Sequence, residues 1–150
     1  MRVVLQRVSE ASVKINGCVT SSINQGLVIL LGVSTEDDLT DILWLVNKIS
    51  ALRIFPNIGG KMNKSIVDIG GDVLLISQFT LFASTKKGNR PSFIRSAHPD
   101  IAISLYETFQ KEIEQALGKS IFTGEFGADM KVSLINDGPV TINLDSKNKE

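Results

Sequence analysis

Residues Gly26 to Val33 read GLVILLGV, eight positions without one polar side chain. A strand that is apolar on both faces cannot lie on a sheet with a wet side; it belongs in the middle of a sheet with both faces covered. The chain must therefore supply more strands around it and helices or strands to cover them. A second run constrains the fold differently. Asp72 to Ala83, DVLLISQFTLFA, reads as one continuous strand, apolar at both ends, with Ser77, Gln78 and Thr80 around Phe79 in its middle. Burying a hydroxyl or amide without a partner costs about 1–3 kcal/mol, so a core strand with this centre needs a reason.

The remaining segments supply the surroundings. RVVLQRV and ASVKI read as strands, the latter with Ala11, Val13 and Ile15 on one face, and Asn16-Gly17 directly after it is a strong hairpin signal. STEDDLTDILWLVNKISAL reads as a helix with Ser34 or Thr35 as its cap and Ile42, Leu45, Val46 and Ile49 at helical spacing. RIF before Pro56 is a short strand, followed by the loop PNIGGKMNKS. The second helix, from Pro99, presents Ile101, Leu105, Phe109, Ile113 and Leu117 on one side and ends at Gly118. MKVSLI and VTINL read as two last strands joined by a tight turn at NDGP, with Val140, Ile142 and Leu144 on the covered face.

Many strands with two separated helices make an α+β chain. The expected architecture is a single domain over residues 1–150, with mostly antiparallel and mixed strands in a barrel-like arrangement and two main helices. The polar stretch Asp145 to Glu150 is expected to fray. At 43% hydrophobic content the chain can fill such a core, and a chain of this size buries roughly 70% of its unfolded surface. Sixteen basic and sixteen acidic residues cancel, so no overall charge advertises nucleic acid or an anionic membrane. Cys18 is the only cysteine, which leaves no intramolecular disulfide and no cysteine-based zinc site. The first residues lack the apolar core of a secretory signal, and no apolar run approaches a membrane span. A cytoplasmic protein is the expectation.

The familiar catalytic inventories are missing. His98, the only histidine, precedes Pro99 at a helix start, where capping or surface exposure is the ordinary role. There is no G-x-S-x-G elbow, P-loop or dinucleotide fingerprint, and the carboxylates have no metal-binding spacing. Neither a metal nor a cofactor is expected. Two features are left. The loop STKKGNRPSFIRSAH carries Lys86, Lys87, Arg90 and Arg95 and no acid; it is either a solvated loop or a phosphate-contacting patch. NDGPVT, Asn136 to Thr141, is a turn containing the Gly138-Pro139 pair.

Taken together, these words resemble the D-aminoacyl-tRNA deacylases, and the resemblance covers nearly the whole chain. LQRVSEASV, GLVILLGV, LRIFPNIGGKMNKS, GNRPSF and FGADMKVSLINDGPVT resemble successive segments of that family. Both words that carry its function are intact, Ser77-Gln78-Phe79-Thr80-Leu81 and Gly138-Pro139-Val140-Thr141. The resemblance implies a homodimer in which SQFTL forms a pocket floor and the partner's Gly138-Pro139, with a cis bond, reaches into it. It implies hydrolysis of the ester of D-aminoacyl-tRNA, acceptance of achiral glycyl-tRNA, and selection by refusal of L-amino acids. Arg7 is implied to brace the Gly138-Pro139 turn, and Arg7, Lys86, Lys87 and Arg90 to serve substrate binding. Neither a membrane nor DNA is an implied partner.

That resemblance gives the polar centre of DVLLISQFTLFA its reason: Ser77, Gln78 and Thr80 face a pocket, and Phe79 is its apolar wall. With no candidate base near Thr80 in the sequence and the only histidine poorly placed, the implied catalysis uses backbone N–H groups near Phe79 and Thr80 and the substrate's own 2′-hydroxyl, in preference to Thr80 as a nucleophile. Two other readings stay open. One is a non-catalytic module that holds a tRNA end; the other is a small-metabolite-binding oligomer of a different α+β family.

Overall fold

The computed structural model describes residues 1–149. Its centre is a long strand, β1 (Arg2–Ile15), where the sequence suggested two. Asn16 and Gly17 adopt φ of 51° and 82°, and the chain turns back as β2 (Cys18–Ile23). Positive φ at both turn residues matches the twist of the flanking strands. β3 (Gly26–Gly32) runs antiparallel to Arg2–Val8, and β2 pairs with Ala11–Ile15. These two share one edge of β1, while β8 (Met130–Asp145) runs antiparallel along the other. β6 (Asp72–Ser77) lies parallel to β3, and the short β7 (Phe122–Thr123) parallel to β6. The Ser21 hydroxyl donates to the Thr123 carbonyl at 2.7 Å and draws β2 toward β7. The mixed sheet thus comes close to a closed barrel. β4 (Phe55–Pro56) and β5 (Met62–Lys64) form a small separate hairpin.

β3 occupies the place its composition requires. Leu27, Ile29 and Leu31 point into the cluster shared with both helices, and Val28 into a second cluster with Val8, Val13, Ile23, Leu74 and Ile76. Helix α1 (Leu39–Ala51) buries Ile42, Leu45, Val46 and Ile49, as the spacing suggested. Its cap, however, is Asp38 and not Ser34 or Thr35. Asp38 Oδ1 accepts from Thr40 N–H (2.8 Å) and Asp41 Oδ2 from Asp38 N–H (2.9 Å), a reciprocal box that fixes the start four residues later. Ser34 is instead held by Asp37, whose Oδ2 accepts its N–H at 2.6 Å.

Helix α2 (Pro99–Leu117) begins on Pro99 and ends at Gly118 with φ 68°. Its buried face is turned from the expected one: Ala102, Tyr106, Phe109 and Ile113 are inside, and Ile101 is 54% exposed. Tyr106 explains the rotation. Its ring lies in the core because its hydroxyl finds the Leu75 carbonyl at 2.9 Å. Burial pushes that phenol well above its ordinary range.

Two expected elements differ in kind. DVLLISQFTLFA is not one strand: β6 stops at Ser77, and Phe79–Phe82 form a single 3-10 turn. The last bond beside the ladder is Gln78 N–H to the Leu31 carbonyl (2.7 Å), after which Leu81 N–H turns back to Gln78. The crossing is over Gly32, where a Cβ would sit 3.0 Å from the Gln78 carbonyl oxygen. The last two strands are likewise not a hairpin. MKVSLI and VTINL both pair with β1, so NDGP is an excursion from one continuous strand.

Residues 145–149, expected to fray, are tied to the body. Ser146 N–H donates to the Met1 carbonyl (2.9 Å), Lys147 reaches Asp41 (2.8 Å), and the Lys149 ammonium lies 4.9 Å over the Trp44 ring. The end of that stretch, Glu150, lies outside the described residues. Burial opposes ionisation of Asp41, but Lys147, the Ser146 hydroxyl and the Asp38 N–H outweigh it and lower the carboxyl from 3.8 to about 2. A carboxyl depressed by folding stabilises the fold above its unfolded pKa and loses that contribution as pH falls through the folded value, here from about 4 to about 2. The contribution at neutral pH is roughly 2 kcal/mol. Lys147→Ala is expected to remove part of it, lowering the Tm at pH 6 while changing it little at pH 2. Equal Tm losses at both values would show that the pair does not set the acid limit.

Candidate active site

Where β3 and β6 end side by side, the chain leaves the sheet and opens a cleft of about 690 Å³. Its near wall is Ser77, Gln78 and Phe79, at the point where the ladder gives way to the 3-10 turn. Phe79 is 56% exposed, its ring edge-to-face with Phe93 at 5.1 Å. Ser96 donates its hydroxyl to the Phe79 carbonyl at 3.0 Å and fixes that peptide. The N–H groups of Phe79 and Thr80 precede the turn's first internal bond and have no acceptor within it. Across the cleft stand Tyr106 and Phe126, edge-to-face at 6.0 Å, with the segment Gly127–Met130. Aromatic walls and a few polar groups along one backbone suit a small organic group.

The expected site residues divide among three places. Ser77, Gln78 and Phe79 line the cleft together. Thr80 is exposed and does not line it; its hydroxyl accepts from the Gln78 side-chain amide. Lys86, Lys87 and Arg90 are exposed at the tip of a loop closed by reciprocal Ser84–Ser92 backbone bonds of 2.8 and 2.9 Å. Phe93 follows that closure directly and packs on Phe79, which ties the base of the loop to the cleft's near wall. Arg95 lies back from them, its guanidinium 5.9 Å from the Phe82 ring centre.

Arg7, Gly138 and Pro139 form the third group, and none of them lines this cleft within the chain. The Gly138–Pro139 peptide is cis, and both residues are exposed. Arg7 is 8% exposed: its Nε donates to the Asp137 carbonyl (2.9 Å) and its Nη1 to the Ile54 carbonyl (2.5 Å), with Asp137 Oδ2 at 3.6 Å. Its donors serve the chain's own backbone and not the cleft. His98 is the unexpected member of the lining. It caps α2 in position only, with no side-chain cap bond, and its Nδ1 lies 3.3 Å from Asp100 Oδ2. Ser96, Tyr106 and Phe126 were missed as well, because only the fold brings them to the ends of β3 and β6. Among the described residues, no three His, Cys, Asp or Glu side chains come together as a metal site would need. No described helix is long and apolar enough to cross a membrane.

Residues 4–145 match the family described as D-Tyr-tRNA(Tyr) deacylase. The chain belongs to this family. It is 61% identical over 150 residues, the whole of both chains, to the D-aminoacyl-tRNA deacylase of Bacteroides thetaiotaomicron. It is 56% identical, again over full lengths, to that of Flavobacterium johnsoniae. Among solved structures it superposes on one described as c-Myc DNA Unwinding Element Binding Protein with a TM-score of 0.91 and 39% identity, covering 97% of this chain and 98% of that one. A probable eukaryotic D-amino acid tRNA deacylase shares the fold at a TM-score of 0.79 and 18% identity, covering 95% and 97%. Family membership agrees with the α+β, barrel-like architecture and two helices that the sequence suggested.

Proposed function

We propose that this protein hydrolyses the ester between a D-amino acid and the terminal ribose of tRNA, releasing the free D-amino acid and tRNA. The observation that carries the reading is the convergence of Ser77, Gln78 and Phe79 on one aromatic cleft in a chain matching named deacylases end to end. Water adds to the ester carbonyl, backbone N–H groups at Phe79 and Thr80 take up the developing negative charge, and the C–O bond to the ribose breaks as that oxygen regains a proton. The neighbouring 2′-hydroxyl of the ribose helps to activate the water. An aminoacyl ester is already reactive, so modest stabilisation of the transition state suffices.

Stereochemical choice rests on a homodimer in which Gly138-Pro139 of one protomer enters the partner's cleft. The loop's exposure and its absence from its own chain's cleft support that arrangement. Backbone that cannot give way excludes an L side chain, while a D side chain points elsewhere and glycine has none. Glycyl-tRNA is therefore a substrate in this reading. Lys86, Lys87 and Arg90 contact phosphates near the tRNA end, giving affinity without sequence preference. The setting is translation quality control in the cytoplasm.

Single-turnover hydrolysis of D- and L-aminoacyl-tRNA tests the reading. D-ester loss with the L-ester spared is expected; binding without turnover would favour the tRNA-end-binding module. In a tRNA-binding titration repeated at several salt concentrations, log affinity should fall by about 0.7–0.9 per phosphate neutralised for each log unit of salt. Lys86→Ala with Lys87→Ala should flatten that slope, and an unchanged slope would mean a merely solvated loop. Because one similar structure bears the name of a DNA-binding protein, duplex DNA is the control competitor, expected not to displace the tRNA.

A further inference from the structure

Asn136 makes three hydrogen bonds, more than any other side chain near the Gly138-Pro139 excursion. Its Oδ1 accepts the Val140 N–H at 2.9 Å; its Nδ2 donates to Thr141 Oγ1 at 2.9 Å and to Gln6 Oε1 at 3.1 Å. One amide therefore joins both ends of the excursion to each other and to β1.

The register shows why such a link is needed. Gln6 pairs with Thr141 and Val8 with Asn136, so β1 advances two residues while β8 advances five. The surplus must leave the ladder, and Val140, which has no partner there, is served by the Asn136 side chain in its place. Successive strand residues face opposite sides of a sheet. Gln6 thus holds Asn136 on one face while Arg7 holds the Asp137 carbonyl on the other. β1 grips the excursion from both sides.

We propose that Asn136 is a positioning residue for stereochemical selection: its amide clasps the base of the excursion and sets where the Asp137–Pro139 backbone projects. It touches no substrate and acts through that backbone, which the proposed function places in the partner's cleft. A loosened clasp lets the backbone yield to an L side chain, so discrimination falls further than D-ester turnover does.

The test compares Asn136→Ala, Asn136→Asp and Thr141→Val as full-length proteins. The readouts are kcat/KM for D- and L-aminoacyl-tRNA and amide hydrogen exchange at Val140. Asn136→Ala should lower the D-over-L ratio by about tenfold or more, the scale of one lost neutral hydrogen bond, with the D-substrate rate falling less. Asp keeps an acceptor for Val140 N–H, while the Gln6 amide can flip and the Thr141 hydroxyl rotate to donate; this variant should recover most of the ratio. Thr141→Val removes one arm and, being nearly isosteric, keeps the test alive if the alanine variant does not fold; it should shift the ratio the same way by less. Val140 exchange should rise in Asn136→Ala and stay slow in Asn136→Asp. An unchanged ratio in folded Asn136→Ala, or a loss that falls equally on both substrates, overturns the assignment. Unmodified protein that spares D-esters would refute the proposed function instead, and the Val140 exchange result would then decide the clasp alone.

Discussion

Removing the 2′-hydroxyl from the terminal ribose of a D-aminoacyl-tRNA is expected to cut turnover by about two to three orders of magnitude, the scale seen when one transition-state hydrogen bond is removed elsewhere. Thr80→Ala should retain a substantial fraction of the rate. The contrast follows from what surrounds Thr80. Its hydroxyl accepts a hydrogen bond from the Gln78 amide, which is no base, and it does not line the cleft. The groups offered to a developing oxyanion at this turn are peptide N–H, which the substitution keeps. His98 needs its own control, because the structure brings it to the cleft where the sequence suggested only a helix start. Its side chain is 75% exposed and leans toward a still more open Asp100, 88% exposed, an arrangement that leaves water free to compete for both nitrogens. His98→Ala is accordingly expected to lower kcat by less than about tenfold, below the range of a working general base. Abolished turnover in folded Thr80→Ala would establish a nucleophile. The same loss in His98→Ala would establish a base, and either would end the substrate-assisted mechanism.

What the sequence could and could not disclose divides along the range of the interactions. Asn16-Gly17, the apolar GLVILLGV run and the inward face of α1 are settled by neighbours within a few residues, and all were legible. The end of β6 was not. DVLLISQFTLFA has strand composition throughout, and the chain departs at Ser77 because Gln78 N–H meets Leu31 and the path clears only over Gly32, residues more than forty positions away. The polar centre therefore never enters the core, and its desolvation cost does not arise. NDGP misled in the opposite sense. Its turn chemistry is genuine, yet both flanking segments stay paired to β1, a fact of register that no local pattern carries. The words SQFTL and GPVT were recognisable as a family resemblance, and the geometry beneath them was not. Arg7 bonded to Ile54 and Asp137, and Asn136 bonded to Gln6, join segments separated by 47 to 130 residues.

Gly138→Ala should be among the most damaging single substitutions outside the core, for reasons that involve Arg7. Gly138 has φ of +128°, a conformation that L side chains rarely adopt, and holding one there costs about 1–3 kcal/mol. Its added Cβ would lie 2.6 Å from Arg7 Nη2 and 3.0 Å from Val140 Cγ2. The guanidinium cannot step aside freely, because Ile54 and Asp137 hold it in a site only 8% exposed. Displacing it would leave buried groups without partners, a further 1–3 kcal/mol or so. A combined loss of about 2–6 kcal/mol corresponds to roughly 4–24 °C in Tm for a chain of this length. The steric part should disappear when Arg7 is already absent. In a cycle with Arg7→Ala, the double variant should be less destabilised than the sum of the singles by at least about 1 kcal/mol, as expected for residues in contact. Strict additivity would mean that Gly138 matters for its backbone conformation alone and that Arg7 is not the wall it faces. Selectivity should follow the same pattern, with Gly138→Ala losing D-over-L discrimination and Arg7→Ala in the same chain adding little to that loss, because both changes release one segment of backbone.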